Sequence, residues 1–107
     1  MLYLLAPQAA ADLDEINDYI VARMRNPSGA QIVADYLFAA FETIGRDPIN
    51  CGGKSRLEIT SKPVKFLAVR KYVVIYDDRA APVRILAVAG ARQDLARLLT
   101  EDTRYSS

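Results

Sequence analysis

Halfway along this chain of 107 residues the spacing of the apolar side chains changes, and that change limits the fold more than any motif does. Before residue 48 apolar residues recur at three- and four-residue steps, as one face of a helix requires. Beyond residue 52 they come in short runs rich in Val, Ile and Tyr, the residues that suit strands. In the first half Ala9, Leu13, Ile16, Ile20 and Met24 form one stripe, which predicts a helix of about five turns. Pro7 suits its first turn, where a missing N–H costs nothing. Asp12, Asp14, Glu15 and Asp18 are expected off the stripe, towards the end where the helix dipole favours acids. Asn26-Pro27 breaks the chain. Ser28 with Gln31 three residues on has the form of a capping box and predicts a second helix from there. Its stripe is Val33, Leu37, Ala40, Phe41 and Ile44, widened by Ile32 and Tyr36. Asp47-Pro48 ends it, since a residue before proline avoids helical angles. Two such helices joined by a short turn make an antiparallel hairpin.

The strands follow from the other period. Residues 2–5, Leu-Tyr-Leu-Leu, are a short apolar run ended by Ala6-Pro7. After a hinge-like Cys51-Gly52-Gly53, extended runs are expected over 56–60 and 64–69, separated by Ser61-Lys62-Pro63. Residues 72–76, Tyr-Val-Val-Ile-Tyr, are nearly all β-branched or aromatic, so this segment reads as a central strand buried on both faces. Residues 77–82 form a turn. In 83–89 Val83, Ile85 and Ala87 alternate against Arg84, Leu86 and Val88, and Gly90 closes the strand. Leu95, Leu98 and Leu99 are spaced for a short last helix over 91–99, followed by a polar tail, 100–107. The order β-α-α-β-β-β-α predicts a two-layer α+β domain over 1–99, an antiparallel-rich sheet packed by the N-terminal helical hairpin.

Charge and cysteine usage narrow the function. The net charge of +1 divides unevenly. Residues 1–53 carry three basic and seven acidic groups, and residues 54–107 carry eleven basic and six acidic ones. A basic second half fits nucleic acid or an acidic protein partner, and an acidic helical half fits a basic one. A single cysteine, Cys51, excludes an internal disulfide and fits a reducing, cytoplasmic setting. No apolar run approaches the ~20 residues needed to cross a bilayer. There is no histidine. A Ser–His pair is therefore impossible, and Cys51 alone cannot hold zinc, so no metal or other cofactor is expected. Gly52-Gly53-Lys54-Ser55 echoes the end of a phosphate loop but lacks its leading glycine and its strand. Asp14/Glu15 and Asp77/Asp78 read as a helix face and a turn.

Three stretches carry a family resemblance. Pro7 followed by "Asp12-Leu13-Asp-Glu-Ile16-Asn-Asp-Tyr19-Ile20" is similar to the opening helix of the ParE/RelE toxins of type II toxin–antitoxin systems. The run from Pro63 to Tyr76 resembles that family's paired strands, ending in Tyr-x-x-x-Tyr. "Val83-Arg84-Ile85-Leu86-Ala87-Val88-Ala89-Gly90-Ala91-Arg92" resembles its closing strand and turn. The likeness spans residues 3–99. The chain departs from the pattern at Ala6, where a serine is frequent, at Ala89, where a histidine is common, and at Gln93, which separates Arg92 from Asp94.

The resemblance implies a toxin held by a cognate, ParD-like antitoxin and associated with plasmid stabilisation. Its target would be DNA gyrase, if it is ParE-like, or messenger RNA on the ribosome, if it is a RelE-like endoribonuclease. Cleaving RNA through its 2′-hydroxyl needs a base, positive charge on the phosphate oxygens and an acid. Without histidine a lysine or tyrosine would have to titrate far from its ordinary range. The nuclease candidates are Lys54, Lys65 and Arg92 (Lys65 and Arg92 as phosphate clamps, Lys54 or Lys71 as base), with Arg70 and Arg97 also basic. No tyrosine follows Arg92 before Tyr105, against the RelE pattern. The favoured expectation is therefore a non-catalytic gyrase inhibitor with no small-molecule substrate and no membrane partner. Tyr19 and Tyr36, at the rims of the helical stripes, and Phe38, off the second stripe, are expected to anchor the antitoxin. Arg84, Arg92 and Arg97 are expected to meet the target.

Overall fold

The computed structural model of the chain describes residues 2–58 and 60–90. Among these the elements run β1 (Tyr3–Leu5), α1 (Pro7–Asp18), a π-helical turn (Tyr19–Arg23), α2 (Pro27–Arg46), β2 (Lys65–Val69), β3 (Tyr72–Asp77) and β4 (Val83–Gly90). The strands form one mixed sheet in the order β1-β4-β3-β2. β1 runs parallel to β4, and the other two pairings are antiparallel. This is the expected α+β arrangement. The helix expected over 91–99 and the tail 100–107 lie outside the described residues.

The helices differ from expectation in their ends. Ala6 precedes α1 in an extended conformation with no side-chain cap. Its own N–H is instead fixed to the Ile85 carbonyl at 2.9 Å, tying the helix start to the sheet. α1 spans 12 residues rather than five turns. At Tyr19 the backbone widens, so that the Met24 N–H reaches the Tyr19 carbonyl at 3.2 Å, and Arg25 then reverses at φ 52°. The stripe accordingly runs out: Ile20 is buried and Met24 is exposed. The cap of α2 is Asn26, not Ser28. Pro27 occupies the first helical turn, and Asn26 Oδ1 accepts the Gly29 N–H at 2.9 Å. Gln31 bonds Asp35 at 2.8 Å instead of reaching back to a cap.

The sheet is apolar on both faces. Ala9 of α1 and Leu37, Phe41 and Ile44 of α2 pack against Val74, Tyr76, Val83, Ile85 and Val88. On the opposite face Val64, Phe66, Val73, Ile75, Leu86, Ala87 and Ala89 form a second cluster. β3 lies between β4 and β2, as its composition predicted. β4 does not keep the expected alternation. Ile75 pairs with Ala87 while Tyr76 pairs with Ile85, which leaves Leu86 as an extra residue, a β-bulge. Val83 and Ile85 face the helices before the bulge; beyond it Val88 does, and Ala87 and Ala89 turn away.

Two further segments correct the sequence reading. Residues 56–60 form no strand among the described residues: only Lys54 bridges to Phe66, through N–H···O bonds of 3.0 and 2.9 Å. Beyond it Arg56 Nε bonds Glu58 at 3.0 Å within a turn and Leu57 is exposed, so the chain curls here instead of continuing as a strand. Asp12, expected on the solvent face of α1, is only 6% exposed. β1 accompanies β4 no further than Ile85. Past that point Asp12 Oδ2 accepts the Val88 N–H at 3.0 Å, while its Oδ1 accepts from Gln8 Nε2 at 2.8 Å. A carboxylate of α1 thus clasps the backbone of the last strand beside its bulge.

Candidate functional site

An apolar groove of about 270 Å³ opens between the two helices. Its walls are Leu13 and Ile16 of α1 and Val33, Leu37 and Phe38 of α2, with Asp14 on the rim. The groove exists because Ala10, Ala30 and Ala34 line it where larger side chains would fill it. Leu13, Ile16 and Val33, which the stripes placed in the core, are therefore only half-buried. Asp14, Glu15, Asp18 and Asp35 are exposed on the same two helices and give this layer its negative charge.

The three aromatics expected to anchor the antitoxin go to different places. Phe38 lines the groove, 41% exposed, with its ring edge-on to Phe41 at 5.5 Å between centroids. Tyr36, two residues earlier and so roughly 200° around the helix, turns from the groove to β3. Its ring lies 6.4 Å from that of Tyr72 and 4.7 Å from the Arg70 guanidinium. Tyr19, in the π-helical turn and 55% exposed, has Arg23 over its ring at 5.9 Å. A second opening lies along β1, which borders the sheet. Leu2 and Leu4 are exposed there beside Glu42, and β1 itself contains no charged residue to deter a further strand. The other border, β2, is met by Lys54.

The basic residues considered for RNA cleavage are separated. Lys54 and Arg56 rim a cavity of about 350 Å³ floored by Phe66, Ala68 and Val73, on the face away from the helices. Lys65 follows the alternation of Leu67 and Val69 towards the helices and forms an ion pair with Asp78. Arg70 and Lys71 make the turn between β2 and β3. Arg84 is half-buried at the start of β4, between Leu4 and Asp77. Arg92 and Arg97 lie outside the described residues.

Three of the six tyrosines sit where the protonated phenol is favoured. Burial pushes the Tyr76 phenol far above its usual range, helped by Cys51, whose Sγ lies 3.2 Å from the Tyr76 hydroxyl. Burial likewise raises Tyr3 and Tyr72. Asp77 is buried and gripped by Arg79 through Nε–Oδ1 and Nη2–Oδ2 contacts of 3.0 and 2.7 Å, which hold its carboxyl below the ordinary range. Gly53-Lys54 is no phosphate cradle: a Cβ on Gly53 would lie 2.6 Å from Tyr76 Cζ, and Lys54 is paired to Phe66. Among the described residues no cluster of three or more potential metal ligands occurs, and no helix is long and apolar enough to cross a membrane.

Comparison with known proteins agrees with this architecture. No curated protein matches the chain. Among solved structures, the chromosomal ParDE toxin–antitoxin system from P. aeruginosa contains a chain that superposes with a TM-score of 0.67. That chain is 19% identical, and the match covers 82% of this chain and 92% of that one. Residues 3–95 match the family described as "ParE toxin of type II toxin-antitoxin system, parDE". The chain therefore belongs to the ParE toxin family of type II toxin–antitoxin systems.

Proposed function

We propose that the protein arrests growth by binding DNA gyrase without turnover, and that a ParD-like antitoxin neutralises it by laying an amphipathic helix in the groove between α1 and α2. The observation that carries the first part is the separation of the lysines. Lys54 opens on one face of the sheet, while Lys65 is turned to the other and neutralised by Asp78. A phosphate clamp and a base must reach one scissile bond within hydrogen-bond range, and this pair does not. The raised Tyr72 and Tyr76 are poorer bases than an ordinary tyrosine, since a base needs its pKa brought down towards neutrality.

The groove supports the second part. Its apolar walls are spaced for anchors at helical intervals, and Asp14 at the groove, with Asp35 exposed on the same helical layer, favours a helix with a basic polar face. Phe38 is the anchor position in the groove, and Tyr19, in the π-helical turn, is a further exposed aromatic for the antitoxin to meet.

Supercoiling by purified gyrase and cleavage of a translated message are the two assays that separate the target classes. Inhibition of supercoiling with the message intact supports this reading. Cleavage of the message, abolished by Lys54→Ala or Arg92→Ala, supports the RelE-like alternative, for which the Lys54–Arg56 cavity is the structural basis.

A further inference from the structure

We infer that the tip of the β2–β3 hairpin, Arg70-Lys71, is a preformed contact for carboxylates on the surface of the toxin's target protein. This deepens the reading above, on which it rests, by naming a contact point and its chemistry.

The backbone supplies the first observation. The turn from Val69 to Tyr72 has two residues, and Arg70 takes it at φ 55°. Glycine reaches that left-handed conformation freely and arginine does not. A turn built for stability alone would carry glycine there; what arginine adds is its side chain. Strain of this kind concentrates at functional positions.

The side chain supplies the second. The Arg70 guanidinium is held 4.7 Å from the Tyr36 ring centroid, and Tyr36 is in turn backed by Tyr72 at 6.4 Å. An arginine resting on an aromatic ring has lost much of its freedom yet keeps N–H donors free for a planar acceptor. The third observation is that neither Arg70 nor Lys71 makes an ion pair with a described residue, although both are exposed. Arg46, Arg56, Lys65 and Arg79 each hold a carboxylate. The tip presents adjacent unpaired cations.

Position completes the case. Tyr72 pairs with Gly90, so the tip stands at the end of the sheet where β4 finishes and the chain continues to Arg92. Arg84 begins β4 at the other end, six residues or about 20 Å away along the strand. The cationic side at the Gly90 end is thus Arg70-Lys71 and not Arg84. A protein carboxylate fits this tip better than nucleic acid does. Two cations neutralise too few phosphates to hold a polyanion at physiological salt, and the acidic helix layer repels one. An arginine fork beside an ammonium matches one or two carboxylates.

The test compares the full chain with Arg70→Gly and with the double variant Arg70→Glu/Lys71→Glu. Thermal melts establish that each is folded; Arg70→Gln/Lys71→Gln replaces the double variant should that one not fold. Supercoiling by gyrase is then titrated with each protein. The expected result is that the charge-reversed tip needs at least about tenfold more protein for half inhibition, with Arg70→Gly intermediate. A double variant as potent as the parent overturns the inference and leaves the proposed function standing. A parent that does not inhibit gyrase overturns both. If the parent binds a random-sequence DNA duplex and the double variant loses that binding along with inhibition, phosphate is the ligand and the carboxylate assignment falls.

Discussion

Replacing Asp12 with alanine measures how the helices are fastened to the sheet. The Asp12 carboxylate is 6% exposed and accepts the N–H of Val88, which is itself 4% exposed. A hydrogen bond to a charged acceptor contributes about 1.5–3 kcal/mol, and a buried N–H left without an acceptor loses about 1–3 kcal/mol of hydration. The two overlap, so the expected loss is about 2–4 kcal/mol, a large share of the 5–15 kcal/mol typical of a domain. At about 4–8 °C per kcal/mol for a domain near this size, the melting temperature should fall by at least about 8 °C. Urea denaturation followed by circular dichroism reads the same change as a lower midpoint at unchanged slope. Asp12→Asn keeps an acceptor oxygen without its charge and should lose about half as much. Asp14→Ala, on the exposed rim of the same helix, should stay within about 0.5 kcal/mol of the parent. An Asp12→Ala protein as stable as Asp14→Ala would refute the reasoning, because the clasp on β4 would then hold nothing.

Gly53→Ala places a methyl group 2.6 Å from Cζ of a fully buried Tyr76. It should destabilise by about 1–3 kcal/mol, and Gly53→Ala/Tyr76→Phe should regain part of that in urea melts because the hydroxyl is gone. Phe38→Ala should weaken binding of the antitoxin about tenfold or more by calorimetry. The same change should lower stability by only about 1 kcal/mol through its lost edge contact with Phe41. Asp77 has its pKa lowered in the fold by Arg79. Its contribution is therefore fully present above the ordinary carboxylate pKa and is lost as pH falls through the lowered folded value. Denaturant midpoints of the parent and of Arg79→Ala should accordingly differ at neutral pH and converge in acid; a gap unchanged by acid would show that Asp77 is not the group responsible.

The parts of the fold that sequence revealed are those carried by repetition. The stripes in residues 9–44 and the doubly apolar run at 72–76 reach the eye because many residues repeat one choice. The parts that stayed hidden depend on single long-range bonds or single extra residues. Asp12 looked like one more helix acid because its partner is a backbone amide 76 residues away. Leu86 looked like one step in an alternation because a bulge has no side-chain signature. Ser28 lost the cap to Asn26 because Pro27 moved the helix start upstream. For the candidate site, Phe38 stood out as an off-stripe aromatic. The groove's place between the helices follows from the hairpin, but its size does not, since that is set by what alanines at 10, 30 and 34 leave empty. Tyr36, taken as a rim aromatic, turns instead to Arg70 and Tyr72. The lysine separation was illegible because it depends on the isolated bridge of Lys54 to Phe66, a pairing across 12 residues that no alternation in the sequence announces.

The pairing of β1 with β4 has a bearing on timing. Tyr3–Leu5 lies against Val83–Ile85, and Asp12 waits for Val88. A nascent chain therefore emerges with its first strand unmatched and cannot shut its sheet until the stretch beyond residue 83 has left the ribosome. Contacts of such sequence separation, in a parallel pair, are among the slowest a small protein forms. A cell translating this message holds a polypeptide with an open sheet for an interval before it holds the folded protein.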